Sequence, residues 1–320
     1  MQISPTEIIK IKALILPKFE SGEITGDFPG EAQFFYDAYC INGKEYEIKG
    51  GLNSNKLYVK NGVAIYIAGM GKVHSAISLN NVLLDPRFDF STAYVLSVGC
   101  AGSAKEYTVM GDVFIISSTI DFDLGHHIDI RELSKNATST WFRDSSFDHV
   151  AYKVLNKELI NKIYSLTKDI KLQTTPKTLN SMSKTFNNEK WAIRNPKVLR
   201  GTTVTSDTYW KGEYGNKTAK LMVESYKCQD PYATTEMEDS AIALVMERHG
   251  ILDRLIIIRV SVNMDVFING STAESLWDTS TQHTIISQDN EEAVDIFPVA
   301  MENNFNVAKV VIDAILAETL

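Results

Sequence analysis

The chain has 320 residues, 32 lysines and arginines against 40 aspartates and glutamates, a formal charge of −8 and a hydrophobic fraction of 44%. That composition excludes a disordered or fibrous protein, and folding at this length removes about three quarters of the unfolded chain's surface, so the core needs no disulfide or metal staple. The acidic balance, without any block of five basic residues, leaves no electrostatic footprint for nucleic acid.

The longest apolar runs, such as Ile65 to Met70 and Ala241 to Met246, fall far short of the roughly 18 to 20 residues that span a bilayer, which excludes a helical channel or carrier. Met1 to Lys10 alternates polar with apolar residues around Glu7 and lacks the apolar centre of a secretory signal, so a cytoplasmic location is expected unless a leader was removed earlier. Cys40, Cys100 and Cys228 are widely spaced and form no CxxC pair, which argues against structural disulfides and zinc.

Short β-rich apolar runs occur at Ile11 to Pro17, Val63 to Ala68, Thr92 to Gly99, Val113 to Ile120 and Leu255 to Val262, and most lack clean alternation, the pattern of strands buried on both faces. Between and after them, helices are predicted over Lys72 to Leu84, Asn156 to Thr167, Thr218 to Lys227, Glu238 to Arg248 and Asn306 to Ala317. Strands alternating with helices, with no repeat or linker to divide them, predict an α/β fold over residues 1–320: a three-layer sandwich around a mixed, largely parallel twisted sheet. Residues 153–191 have helical character but no motif. Ligands of such sheets sit at the carboxyl ends of the strands, so the loops there are the first place to look for chemistry.

Four such segments stand out. Ala68-Gly69-Met70-Gly71-Lys72 ends a strand and opens a helix, where backbone N–H groups can meet an anion or a sugar, though a tight turn needs the same glycines. Ser97-Val98-Gly99-Cys100-Ala101-Gly102-Ser103 is a row of small residues that lets a neighbouring strand or a ligand approach the backbone, and Gly111-Asp112-Val113 starts the next strand. Thr234 to Ala241 places Glu236, Glu238 and Asp239 at a helix start, where they suit the dipole or bind sugar hydroxyls; the helix that follows is expected to bury Ala241, Leu244 and Val245. Arg259 to Asp265 runs a buried strand out into polar side chains.

In that order, these segments resemble the nucleoside phosphorylase/nucleosidase superfamily. Within it, Gly26-Asp27-Phe28-Pro29-Gly30-Glu31-Ala32-Gln33-Phe34-Phe35-Tyr36 and Asp121-Phe122-Asp123-Leu124-Gly125-His126-His127-Ile128-Asp129-Ile130-Arg131-Glu132 are similar to the purine nucleoside permease family. The resemblance implies cleavage of the N-glycosidic bond of purine nucleosides through an oxocarbenium-like state, no cofactor beyond phosphate if the reaction is phosphorolysis, and a homo-oligomer. Gly71, Cys100, Ala101 and Gly102 fall in its substrate-binding turns, Met237 and Glu238 match its ribose-contacting pair, and Tyr209, in Thr205-Ser206-Asp207-Thr208-Tyr209-Trp210, aligns with the ring that stacks on the base. An aromatic residue in a loop also serves plain packing.

Two departures bear on the reaction. Asn263 stands where bacterial-type members carry an acidic residue; a carboxamide donates a hydrogen bond to the departing base but no proton, and Asp265 supplies one only if the strand end bulges. Ser97 stands where phosphorylases carry an arginine, and Cys100 replaces a hydroxyl, so phosphate clamping is impoverished and hydrolysis is favoured. Glu31 is the candidate base that activates water, although a lone loop glutamate is usually solvated. Lys72, Arg131 or an arginine of another subunit would restore phosphorolysis, and a non-catalytic nucleoside-binding protein that assists uptake is the rival reading. Adjacent His126 and His127 point to opposite faces of a strand, so no metal is expected there.

Overall fold

The computed structural model describes residues 8–51, 56–137, 139–208, 210–266 and 286–320. Ten strands form one mixed sheet: β1 Ala13–Leu16, β2 Lys44–Glu47, β3 Lys56–Lys60, β4 Val63–Ile65, β5 Tyr94–Ser103, β6 Val113–Asp121, β7 Tyr152–Val154, β8 Val198–Thr205, β9 Tyr232–Glu236 and β10 Leu255–Met264. Their order is β7-β6-β8-β9-β5-β1-β4-β3-β2, and β10 pairs with both β5 and β6. The pairings therefore close a circuit through β5, β10, β6, β8 and β9. Every residue of β6 is buried, the apolar Val113 to Ile116 and also the polar Ser117, Ser118, Thr119 and Asp121 that follow.

Among the described residues, the helices of ten residues or more are α1 Lys72–Leu83, α2 Lys157–Thr167, α3 Pro176–Thr185, α4 Glu213–Ser225, α5 Asp239–Arg248 and α6 Ile286–Leu316. Helix α6 packs on β10 and β5 with α2 and α3 beside it, while α1 packs against α5. Asn156 caps α2 by accepting from the N–H groups of Glu158 and Leu159, and Thr175 caps α3 ahead of a proline at its start. These two helices account for most of the motif-free stretch. Among the described residues, no helix is long and apolar enough to cross a membrane.

The strands and helices read from the sequence keep their types, but β2 and β3 are not among them, Lys153 and Val154 lie in strand β7 and not in the helical stretch expected from residue 153, and three helix details differ. Helix α6 begins at Ile286 rather than near Asn306. Asn303 and Asn304 lower local helix propensity, yet their amides are used in tertiary bonds to the carbonyls of Gln173 (2.8 Å) and Ile258 (3.1 Å). Helix α4 begins at Glu213 rather than Thr218, because Gly215 and Asn216 read as poor helix formers. Helix α5 buries Ile242, Ala243 and Met246 rather than Ala241, Leu244 and Val245. Its inner face is set by packing on α1 and the sheet, one position off the stripe that the sequence suggests.

Candidate active site

The carboxyl ends of β1, β5, β6, β8, β9 and β10 bring most of the predicted residues together. Glu31 lies in the loop after β1, and that loop is pinned: the Glu20 carboxylate accepts from the N–H groups of Gly30, Ala32 (2.9 Å) and Gln33 (2.7 Å). The result is a glutamate only 4% exposed, not the solvated loop residue that its type suggests. Its Oε2 accepts from the Lys18 N–H at 2.7 Å and its Oε1 from the Cys100 N–H at 2.8 Å. Gly99 makes this possible, since a Cβ there would collide with the Glu31 carboxylate. Burial pushes the Glu31 carboxyl up, and the positive charges of Lys18 and Arg259 draw it back.

Arg259, on β10, is the centre of the arrangement and is 1% exposed. Its Nε donates to Asp239 Oδ2 at 2.8 Å, its Nη2 to Asp239 Oδ1 (2.8 Å), Glu236 Oε2 (3.1 Å) and Glu238 Oε2 (3.1 Å), and its Nη1 to the Cys100 carbonyl (3.1 Å). Burial works against the guanidinium's charge, and Asp239 and Glu236 more than offset it. Glu236 also accepts from the N–H groups of Glu238 and Asp239 at 2.7 Å, taking the free donors at the start of α5, and from Thr205 Oγ1 at 2.5 Å. Removing the cation strands three buried carboxylates, so Arg259→Met is expected to cost about 3–5 kcal/mol, read as a lower urea midpoint.

Glu238 is 3% exposed and bridges two elements: Oε1 accepts from the Gly71 N–H at the start of α1 (3.0 Å), Oε2 from Arg259. Each carboxylate oxygen keeps a lone pair for a further donor, which is the capacity a pair of sugar hydroxyls needs. The next N–H of that turn, from Lys72, goes to Asp207 Oδ1 at 2.9 Å, while Lys72 Nζ bridges Asp121 (2.8 Å) and Asp123 (2.7 Å). Asp123 in turn accepts from Ser206 Oγ and the Asp207 N–H, tying the loops after β6 and β8 together.

Strand β10 does bulge at its end. Ser261 lies opposite Ala101 and Asn263 opposite Gly102, so Val262 is the extra residue. Asn263 and Asp265 then converge on Gly102, where a Cβ would strike Asp265 Oδ1 and displace its carboxylate. Asp265 is 2% exposed; its Oδ2 accepts from Tyr232 Oη and from Thr235 Oγ1 (2.7 Å). Burial pushes its carboxyl up to about 6 in spite of those bonds.

Glu31, Gly71, Cys100, Ala101, Gly102, Glu238, Asn263 and Asp265 thus share one end of the sheet. Met237 is half-buried between Glu236 and Glu238, and Tyr209 lies outside the described residues. Its neighbour Trp210 stacks on Phe122 with ring centroids 5.5 Å apart. Asp112 plays a structural part instead: buried, it accepts from Arg194 and from the N–H groups of Val109 and Lys197, and so anchors the loop before β6. His126 and His127 turn to different partners, Asp144 (3.1 Å) and the Phe122 carbonyl (2.7 Å). Lys18, 2% exposed, is a member that sequence reasoning missed; a lysine just past an apolar strand reads as surface.

A profile of the purine nucleoside permease (NUP) family matches residues 10–319. A probable purine nucleoside permease of Schizosaccharomyces pombe is 28% identical over 67% of this chain and 68% of its own length. A purine nucleoside permease of Candida albicans is 26% identical over 60% of this chain, and the match spans 51% of that protein. Among solved structures, the 5′-methylthioadenosine/S-adenosylhomocysteine nucleosidase of Helicobacter pylori shares the fold, with a TM-score of 0.56, 13% identity, and coverage of 96% of this chain and 98% of that one.

Proposed function

The chain belongs to the purine nucleoside permease family, and from its fold and site we propose that it cleaves the N-glycosidic bond of purine nucleosides by hydrolysis, releasing base and free ribose. The observation that carries the choice of water over phosphate is that the anion seats are already filled by the chain's own carboxylates. Glu31 takes the N–H groups of Lys18 and Cys100, and Glu238 and Asp207 take those of Gly71 and Lys72 at the start of α1. The cations are committed as well. Lys18 Nζ donates to Leu16, Ser97 and Val98, Lys72 is held by two aspartates, and Arg259 by three carboxylates. Arg131 is exposed and paired with Asp129. A phosphate dianion entering here would meet like charge and few free donors.

In this reading, Glu31 accepts a proton from water as the water oxygen bonds to C1′ and the bond from C1′ to the purine nitrogen breaks. Glu238 holds the 2′ and 3′ hydroxyls and, with Glu236 and Asp239, places negative charge near the cationic sugar. Asn263 donates a hydrogen bond to the departing base, and Asp265 gives it the proton. A second reading, a nucleoside-binding protein that assists uptake, draws on the permease names of the sequence relatives. Incubation with inosine, adenosine or guanosine, with and without phosphate, separates them. Free base and free ribose at equal rates in both buffers are expected. Strict phosphate dependence with a sugar phosphate as product means phosphorolysis, and binding without either product favours the uptake protein.

A further inference from the structure

We propose that Lys18 is a positioning residue that holds the Glu31 carboxylate in place and keeps it charged. This rests on the reading of Glu31 as the water-activating base. Lys18 bonds one side of that carboxylate and braces the turn that holds the other. Its backbone N–H donates to Glu31 Oε2 at 2.7 Å, and its ammonium reaches across to β5, donating to Ser97 Oγ (2.8 Å) and the Val98 carbonyl (3.0 Å), just before the Gly99-Cys100 turn that holds Oε1. The third ammonium donor goes to the Leu16 carbonyl at 2.8 Å.

All three of these acceptors are uncharged, so a buried ammonium is kept here without a contacting carboxylate. That is costly, although three donors on one nitrogen are what an ammonium supplies. The charge has a further use. Glu31, Glu236, Glu238 and Asp239 lie within 7% exposure, with Arg259 and Lys18 as the cations among them. Arg259 donates to Glu236, Glu238 and Asp239, while Glu31 accepts from the backbone N–H groups of Lys18 and Cys100 and pairs with the Cys100 thiol. Both cations act on Glu31 through their charge, Lys18 the more strongly of the two, and Lys18 alone also reaches it through a hydrogen bond.

The bonds also close a ring. Lys18 Nζ donates to Ser97 Oγ, which donates to Asp239 (2.5 Å); Asp239 holds Arg259, Arg259 holds the Cys100 carbonyl, and the Cys100 N–H returns to Glu31. The charged and titratable groups that face Glu31 are therefore Lys18 after β1, Cys100 on β5, Glu238 at the start of α5 and Arg259 on β10, with Asp239 behind Ser97 and Glu20 in its own loop. Loss of Lys18 removes the stronger of the two positive neighbours and leaves Arg259 against the negative ones, so the base takes up its proton at higher pH.

The test is the pH dependence of kcat on inosine for the native protein, Lys18→Met, Lys18→Arg and Glu31→Gln. Lys18→Met is expected to move the low-pH limb up by about one pH unit or more, the size of effect a lost opposite charge produces, with KM changed less than threefold. Lys18→Arg, which keeps the charge, is expected to restore the limb. An unmoved limb in Lys18→Met, alongside a collapsed Glu31→Gln, overturns the role of Lys18 alone. Native-like turnover in Glu31→Gln overturns the Glu31 reading and this inference with it. If Lys18→Met fails to fold by circular dichroism, the native profile decides: a low-pH limb at or below about pH 7 is expected. A limb above that, where an unassisted buried glutamate titrates, overturns the proposal.

Discussion

Glu31→Gln is expected to bind purine nucleosides about as tightly as the native protein and to turn them over on the order of a thousandfold more slowly, the usual worth of a positioned general base. The amide is the same size and its oxygen still accepts one of the two N–H groups, from Lys18 or Cys100. What it lacks is the ability to take a proton from water. The amide nitrogen must also face an N–H donor, so a modest loss of stability accompanies the change. Calorimetric affinity and single-turnover rates separate the effects: full affinity with a collapsed rate supports the hydrolase, and an unchanged rate removes Glu31 from the chemistry. A protein that only binds nucleosides would show no rate to lose.

The second large effect belongs to Asp265, and it depends on the substrate. With inosine, Asp265→Asn is expected to lower kcat by about a hundredfold, since neither amide at the strand end then carries a proton to the base. With N7-methylated inosine, whose base is already cationic and leaves neutral, the same variant is expected to lose less than about threefold. The native protein should show the matching pH dependence. Burial holds Asp265 up to about 6, so the acid is protonated below that value and its contribution fades as pH rises through it. Inosine cleavage by the native protein should fall there, while cleavage of the N7-methylated nucleoside should not. Equal losses on both substrates would reassign Asp265 to a structural part as the acceptor for Tyr232 and Thr235.

The bulge at Val262 illustrates where a sequence stops being informative. Polar residues at the end of a buried strand are visible as composition, and so Asn263 and Asp265 are both legible as candidates. Which of them turns toward the base depends on a register shift between β10 and β5, and that shift is a property of two strands more than 150 residues apart in sequence. In the same way, Gly99 and Gly102 are visible as small residues, but the reason for each lies in a carboxylate from elsewhere, Glu31 for one and Asp265 for the other. Tyr209 remains a reading from resemblance, as it lies outside the described residues.

The sequence by itself determined the α/β class, the order of the main strands and helices, and the segments at which ligand-facing loops occur, because buried strands, amphipathic helices and glycine turns are written in short-range periodicity and composition. The tertiary structure alone decided the electrostatics. Arg259 and Lys18 look like ordinary cations in the sequence; folding buries both among four carboxylates drawn from the loop after β1, the end of β9 and the start of α5, and commits their donors. Charge state and the availability of donors depend on burial and on partners distant in the chain, and no local pattern encodes either.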